Sequence, residues 1–134
     1  MRSRLLPILF ALLVTGCGLA PLDAARLSLG AVVQVYQAAE PRLEAERAAA
    51  GQACLDAPPP PEPCLDAVRA KWAPVRKASE RAYRAIVAAL ALLHLAEAGA
   101  ALGQAVDVAK LARAVSLAVD AAGAFHAAIA PEVP

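Results

Sequence analysis

The chain has 134 residues and a formal net charge of +1, so it has the length of one domain and no electrostatic case for binding nucleic acid. Hydrophobic residues make up 60% of it, aromatic residues only 4%, and alanine is the commonest residue. Alanine and leucine with interspersed charges favour helices, and the alternating apolar pattern and Asn-Gly or Asp-Gly turns of hairpins are missing. The composition therefore argues against a sheet protein and predicts an all-α fold.

The N-terminus has the features of a secretory signal. Arg2 and Arg4 precede an apolar run from Leu5 to Val14. That order of a charged region and a short apolar region is typical of an export signal. The run is too short to cross a bilayer as a helix, which takes ~20 residues.

The residues that end this run, Val14-Thr15-Gly16-Cys17, resemble the lipobox of bacterial lipoproteins, in which a small residue precedes an invariant cysteine. The resemblance implies that the Cys17 thiol takes a diacylglyceryl group, that residues 1–16 are removed, and that the new amine is acylated. Residues 17–134 would then form one lipid-anchored domain of the cell envelope. Gly18 stands where some lipoproteins carry an aspartate that retains them in the inner membrane, so the resemblance favours the periplasmic face of the outer membrane.

Three cysteines are an odd number, and lipidation of Cys17 accounts for the odd one. Cys54 and Cys64 remain as a pair, and an exported chain meets an oxidising compartment in which such a pair normally forms a disulfide. Redox-active or metal-binding pairs usually lie closer together, as Cys-x-x-Cys. We therefore predict a structural disulfide between Cys54 and Cys64.

Three amphipathic helices are predicted at about residues 22–53, 64–98 and 104–130, because apolar residues recur in alternating steps of three and four. Pro41 and Pro74 are expected to kink or restart the first two helices. The stretch Ile86–Leu95 is apolar nearly all round, which predicts contacts on two sides. The predicted seams are Leu22, Ala25, Leu29, Val32, Tyr36, Ala39 and Leu43; Val68, Trp72, Val75, Ala82, Ile86, Leu90 and Leu93; and Val108, Leu111, Val115, Ala118, Ala122, Phe125 and Ile129.

Two connectors separate the helices. The first, Cys54–Cys64, contains four consecutive prolines that cannot be helical. The second is predicted at Gly99–Gly103, with a continuous helix and a close Gly-x-x-x-Gly crossing as the alternative. Together these features predict an up-down-up antiparallel three-helix bundle, in which the first two helices form a hairpin with a disulfide-closed Pro-rich loop.

No catalytic constellation can be assembled from the sequence. His94 and His126 lie at different heights of the predicted bundle and cannot share a metal ion within one chain. Glu97 follows His94 at i+3, so a local hydrogen bond or a weak zinc-binding corner is the alternative to a surface histidine. We expect no enzyme activity, no metal site and no cofactor.

Charged residues crowd near the disulfide end. They are mixed in the first helix and mainly basic in the second: Glu40, Arg42, Glu44, Glu46 and Arg47, then Arg69, Lys71, Arg76, Lys77, Glu80, Arg81 and Arg84. A solvated face is the simplest interpretation, and attraction between an acidic and a basic helix would also favour the hairpin.

The sequence thus predicts a lipid-anchored envelope protein that acts as a structural or protein-interaction module, with the Pro-rich loop as the contact tip. Its partners would be the membrane, through the N-terminal lipid, and a protein partner or a second copy of the chain. The alternative function is a small-ligand or lipid carrier, which would require a cavity of several hundred cubic ångströms.

Overall fold

A computed structural model describes residues 20–129 and shows three helices and no strand in that range. Helix α1 spans Pro21–Asp56, α2 spans Glu62–Ala101 and α3 spans Val108–Ile129. Each helix packs against the other two. The predicted all-α, antiparallel bundle is confirmed, whereas the signal segment and Cys17 lie outside the described residues.

Helix α3 is much shorter than the hairpin that α1 and α2 form. It has 22 residues against 40 in α2, which at ~1.5 Å per residue is roughly 33 Å against roughly 60 Å. We call the part of the molecule in which all three helices pack together the body (residues 20–43 and 75–129). The remaining two-helix projection, residues 44–74, is called the arm, and it extends about 20 Å beyond the body.

The body contains almost the whole core. Every buried residue of the described chain except Cys54 belongs to it, and most of them are the predicted seam residues. Two seam positions were not predicted: Ser79 and Ala89 are also buried. The buried body residues are Ala25, Leu29, Val32, Tyr36, Leu43, Val75, Ser79, Ala82, Ile86, Ala89, Leu93, Leu111, Val115, Ala118, Ala122 and Phe125.

The prediction that Ile86–Leu95 is covered on two sides is only partly correct. Ile86, Ala89 and Leu93 are buried, but Val87 is 46% exposed and Leu95 is 69% exposed. A three-helix bundle covers one broad sector of each helix, so the outer sector of α2 stays open even where its residues are apolar.

The turn between α2 and α3 lies later than the sequence indicated. Gly99 remains helical, α2 ends at Ala101, and Gly103 has the positive φ of 72° that follows many helix ends. Asp107 then caps α3 by accepting a hydrogen bond from the Lys110 backbone N–H at 2.9 Å. The third helix therefore begins four residues after the predicted start.

Pro41 and Pro74 lie inside continuous helices, so neither proline restarts its helix. Each proline removes the hydrogen bond to the carbonyl four residues earlier. The residues that carry those carbonyls, Gln37 and Ala70, are exposed, so water can satisfy both groups.

The core assignment is testable with two neighbouring leucines of α1. Leu29 has no exposed surface, whereas Leu27 is 64% exposed. We expect Leu29→Ala to lower the free energy of unfolding by about 2–5 kcal/mol and Leu27→Ala to change it by less than about 0.5 kcal/mol. Urea unfolding followed by circular dichroism measures both, and equal losses would contradict this packing.

Candidate functional site

The tip of the arm is closed by the predicted disulfide. Cys54 lies in the last turn of α1 and Cys64 in the first turn of α2, with 5.6 Å between their Cα atoms. Cys54 is almost completely buried. Only the short Pro-rich connector 57–61 separates the two helices, so the bridge joins their ends where few other contacts hold them.

A predominantly basic surface of α2 begins in the arm and continues onto the adjoining part of the body. Residues 69–84 contain six basic side chains and one acidic side chain, and all seven residues are exposed. We call this surface the basic face; its basic members are Arg69, Lys71, Arg76, Lys77, Arg81 and Arg84.

Ion pairs in this region do not join α1 to α2. Arg47 pairs with Glu44 at 3.0 Å, Arg69 with Asp66 at 2.8 Å, and Arg76 lies 3.8 Å from Glu80, all within one helix. Such exposed pairs contribute only tenths of a kcal/mol. Near the disulfide end of the described residues, attraction between an acidic and a basic helix therefore does not hold the hairpin through direct ion pairs.

A buried polar cluster lies at the root of the arm. Tyr36 Oη donates to Glu40 Oε1 at 3.0 Å and lies 3.0 Å from Ser79 Oγ on α2. Because the Tyr36 proton is used toward Glu40, the Ser79 hydroxyl donates to Tyr36 Oη. The Tyr36 ring also packs against Phe125 of α3, with 5.3 Å between ring centroids. The cluster thus connects all three helices.

Burial raises the pKa of Tyr36 above its usual value. The hydrogen bond with Ser79 acts in the opposite direction, and the neighbouring Glu40 carboxylate adds to the increase. The phenol is therefore held in its neutral form, in which it can donate to Glu40.

Beside this cluster lies a cleft of about 30 Å³ between α1 and α2. Trp72 lines this cleft, and its buried indole Nε1–H has no hydrogen-bond acceptor among residues 20–129. The lining of the cleft consists of Glu40, Leu43, Glu44, Arg47, Trp72, Arg76 and Ser79.

The structure does not bring the two histidines together into a site. His94 and His126 are both exposed. The Glu97 carboxylate accepts hydrogen bonds from Arg26 of α1, at 2.7 Å from Nη2 and 3.1 Å from Nε. Among residues 20–129, no group of three or more His, Cys, Asp or Glu side chains is placed to hold a metal ion.

A second cleft, of about 50 Å³, lies at the opposite end of the body. It separates the beginning of α1 from the beginning of α3 and is lined by apolar residues: Pro21, Ala24, Ala25, Val108, Leu111, Ala112 and Val115. Helix α2 passes close by and is long and apolar enough to span a membrane by length and composition alone, with a mean hydropathy of 1.5 over 18 residues. Only 17% of that stretch is buried within the protein.

The sequence pattern missed the polar cluster although it contained a signal for it. Ser79 lies four residues after Val75 and three before Ala82, so it occupies a seam position of α2. A serine at such a position requires a buried partner, and Tyr36 was the polar side chain in the facing seam.

No family model, curated protein or solved structure matches the chain.

The contribution of the disulfide can be measured with the Cys54→Ala/Cys64→Ala variant. Loss of a closed loop of this size should lower the free energy of unfolding by about 2–3 kcal/mol. Amide hydrogen exchange should accelerate most in residues 44–74, because the arm has little other core, and least near Leu29 and Val115. Uniform acceleration across both regions would contradict the division into body and arm.

The Tyr36 environment predicts a specific loss of stability in alkali. The pKa of Tyr36 in the folded state lies above the value of about 10 for an unfolded tyrosine. The neutral phenol therefore contributes stability that is fully present below pH ~10 and is lost as the pH rises through the folded-state pKa. The free energy of unfolding of the wild-type protein should therefore fall more steeply above pH ~10 than that of Tyr36→Phe.

Tyr83→Phe is the matched control, because Tyr83 is exposed and lies 6.4 Å from the Tyr36 ring. The Tyr83 charge is the smallest of the causes that raise the pKa of Tyr36. Tyr83→Phe should therefore keep most of the wild-type pH dependence in the same urea titrations. If Tyr36→Phe also keeps it, the buried neutral phenol is not a source of stability.

Proposed function

We propose that this protein is a lipid-anchored bacterial envelope protein that acts as a structural or protein-interaction module through its arm and the adjoining basic face of α2. The observation that supports it is the contrast between the two ends of the molecule. The described chain begins at the body end, three residues after Cys17, whereas the charged, disulfide-closed arm projects from the opposite end. An anchor at one end would hold the other end away from the membrane.

The arm has the properties of a contact surface rather than of a folding unit. It buries only Cys54 and depends on a disulfide instead of a hydrophobic core. Its two helices nevertheless keep the arm extended for about 20 Å. A stiff projection with little core presents most of its side chains to a partner.

The basic face favours a partner with an acidic surface. Lys77 and Arg84 are seven residues apart and therefore lie on the same side of α2. Both are exposed, and neither has an acidic side chain within 4 Å among residues 20–129. Complementary charge would orient the partner and speed its association.

The small-ligand carrier remains the second candidate, and cavity size argues against it. The two best-formed clefts between residues 20 and 129 have volumes of about 30 and 50 Å³. Ligand pockets for drug-sized molecules usually enclose about 300–1,000 Å³. A carrier function would require the body to open along its Ala-rich core.

The anchor and the partner surface can be tested together by native mass spectrometry of protein extracted gently from membranes of an expressing bacterium. We expect a mass that shows cleavage before Cys17, added acyl chains and an oxidised Cys54–Cys64 pair, together with a complex containing an additional protein. A full-length, unlipidated and reduced monomer would contradict the proposal.

A charge-reversal variant tests the role of the basic face in that complex. Lys77→Glu/Arg84→Glu should reduce the abundance of the complex on the order of tenfold or more, since it places like charges against an acidic partner. Arg113→Glu is the control, because Arg113 is an exposed residue of α3 outside the basic face. Equal losses in both variants, or no loss in either, would contradict recognition by the basic face.

A further inference from the structure

We infer that the turn between α2 and α3 is a second membrane-contact site, which rests on the lipid surface with Leu102 at the boundary between headgroups and acyl chains. The inference depends on the proposed lipidation of Cys17. It adds a docking surface of the folded domain to the covalent anchor, and it identifies the occupant of that surface as a phospholipid bilayer.

The first step is that the turn lies at the same end of the body as the start of the described chain. Arg26 in the second turn of α1 binds Glu97 near the end of α2, at 2.7 Å. Pro21 and Val108, the first residues of α1 and α3, line the same cleft. The beginning of α1 and the turn are therefore neighbours.

The second step is the length of the connection to the proposed anchor. Three residue steps separate Cys17 from Ala20. Even fully extended, they span about 11 Å. A lipid on Cys17 would hold this end of the body close to the membrane, so the side chains around the turn would meet the headgroup region.

The third step is the chemistry of the turn. From Ala98 to Val106 the chain has nine residues without a charged side chain, bounded by Glu97 and Asp107. Leu102 is the most exposed large apolar residue of the described chain, with 76% of its surface accessible. In water such exposure is unfavourable, whereas the interface of a bilayer accepts leucine side chains.

The surroundings of the turn extend the same surface. Leu95 lies about two turns earlier on α2 and is exposed, and Val108 begins α3 and is partly exposed. The apolar cleft between α1 and α3 opens beside them. Apolar groups from the ends of all three helices thus lie at the end of the body that the anchor would bring to the membrane.

A second copy of the chain is the competing occupant, and two observations favour the bilayer. The apolar groups lie around the end of the bundle as well as along α2, so a partner helix packed beside α2 would leave Leu102 and the turn uncovered. The short connection to Cys17 also leaves little room for a protein layer between the turn and the membrane.

The contact would give the lipid anchor an orientation. An acyl-modified cysteine followed by a short segment holds a protein near the membrane without fixing the direction of its long axis. A second contact at the turn would restrict that freedom and direct the arm away from the lipid surface. The turn does not have to add affinity for the membrane, because the acyl chains on Cys17 would be sufficient to hold the protein there.

Cysteine labelling of the full, lipidated chain tests the inference. Leu102→Cys is labelled with a nitrobenzoxadiazole fluorophore, whose emission shifts to the blue in apolar surroundings, and the protein is reconstituted into vesicles of phosphatidylethanolamine and phosphatidylglycerol. Leu55→Cys at the arm tip and Leu117→Cys on the outside of α3 are matched controls, because these leucines are 58% and 59% exposed. Mass spectrometry of the same samples establishes whether acyl chains are present.

We expect blue-shifted emission at position 102, quenched by lipids that carry a doxyl group near the headgroup, and water-like emission at positions 55 and 117. The blue shift should persist when an excess of vesicles dilutes the protein molecules so that they no longer meet one another on the same vesicle. A shift that disappears on such dilution would identify a second copy as the occupant and overturn the inference.

The failures of the anchor and of the turn contact are distinguishable. A lipidated protein with water-like emission at position 102, or with the same shift at all three positions, overturns the turn contact and leaves the anchor intact. A mature protein without acyl chains overturns the proposed anchoring and the turn contact that rests on it.

Discussion

The difference in length between α3 and the hairpin of α1 and α2 determines where this molecule has a core. Where α3 is present, each helix has two neighbours and can bury a broad sector of its surface. Where α3 is absent, each helix of the arm has one neighbour, and Cys54 is the only buried residue there. The body can therefore be stable through packing, whereas the arm needs the covalent link at its tip.

The small side chains of the core explain why the body is compact but contains little space. Ala82, Ala89 and Ala118 have no exposed surface, so the helix axes can approach closely at these positions. Leucine, valine and phenylalanine side chains fill the remaining layers at the high density of protein interiors. A core of this kind stabilises a bundle, and the two best-formed clefts between residues 20 and 129 have volumes of only about 30 and 50 Å³.

The helices and their seams could be predicted because a repeat of three and four residues has a direct physical meaning on a helix surface. The disulfide could be predicted because the number of cysteines and the proposed export both favoured one pair. The start of α3 could not be predicted, because Gly103 and Asp107 both carry the signals of a helix boundary. The Asp107 side chain acts as a cap only once the backbone has folded. The exposure of Leu95 could not be predicted either, since an apolar residue has the same sequence signal whether it contacts its own chain or an external surface.

The polar cluster at the root of the arm sets the register between the two long helices. Tyr36 and Ser79 share a hydrogen bond across α1 and α2. A shift of one helix by a single residue would leave the buried Ser79 hydroxyl without this partner, whereas Tyr36 would keep its hydrogen bond to Glu40 on the same helix. Leucine and alanine contacts alone tolerate such shifts more easily, because they are not directional. Both helices continue from this cluster to the disulfide without interruption at Pro41 or Pro74. The orientation of the arm relative to the body is therefore fixed at both ends of the arm, by hydrogen bonds at the root and by a covalent bond at the tip.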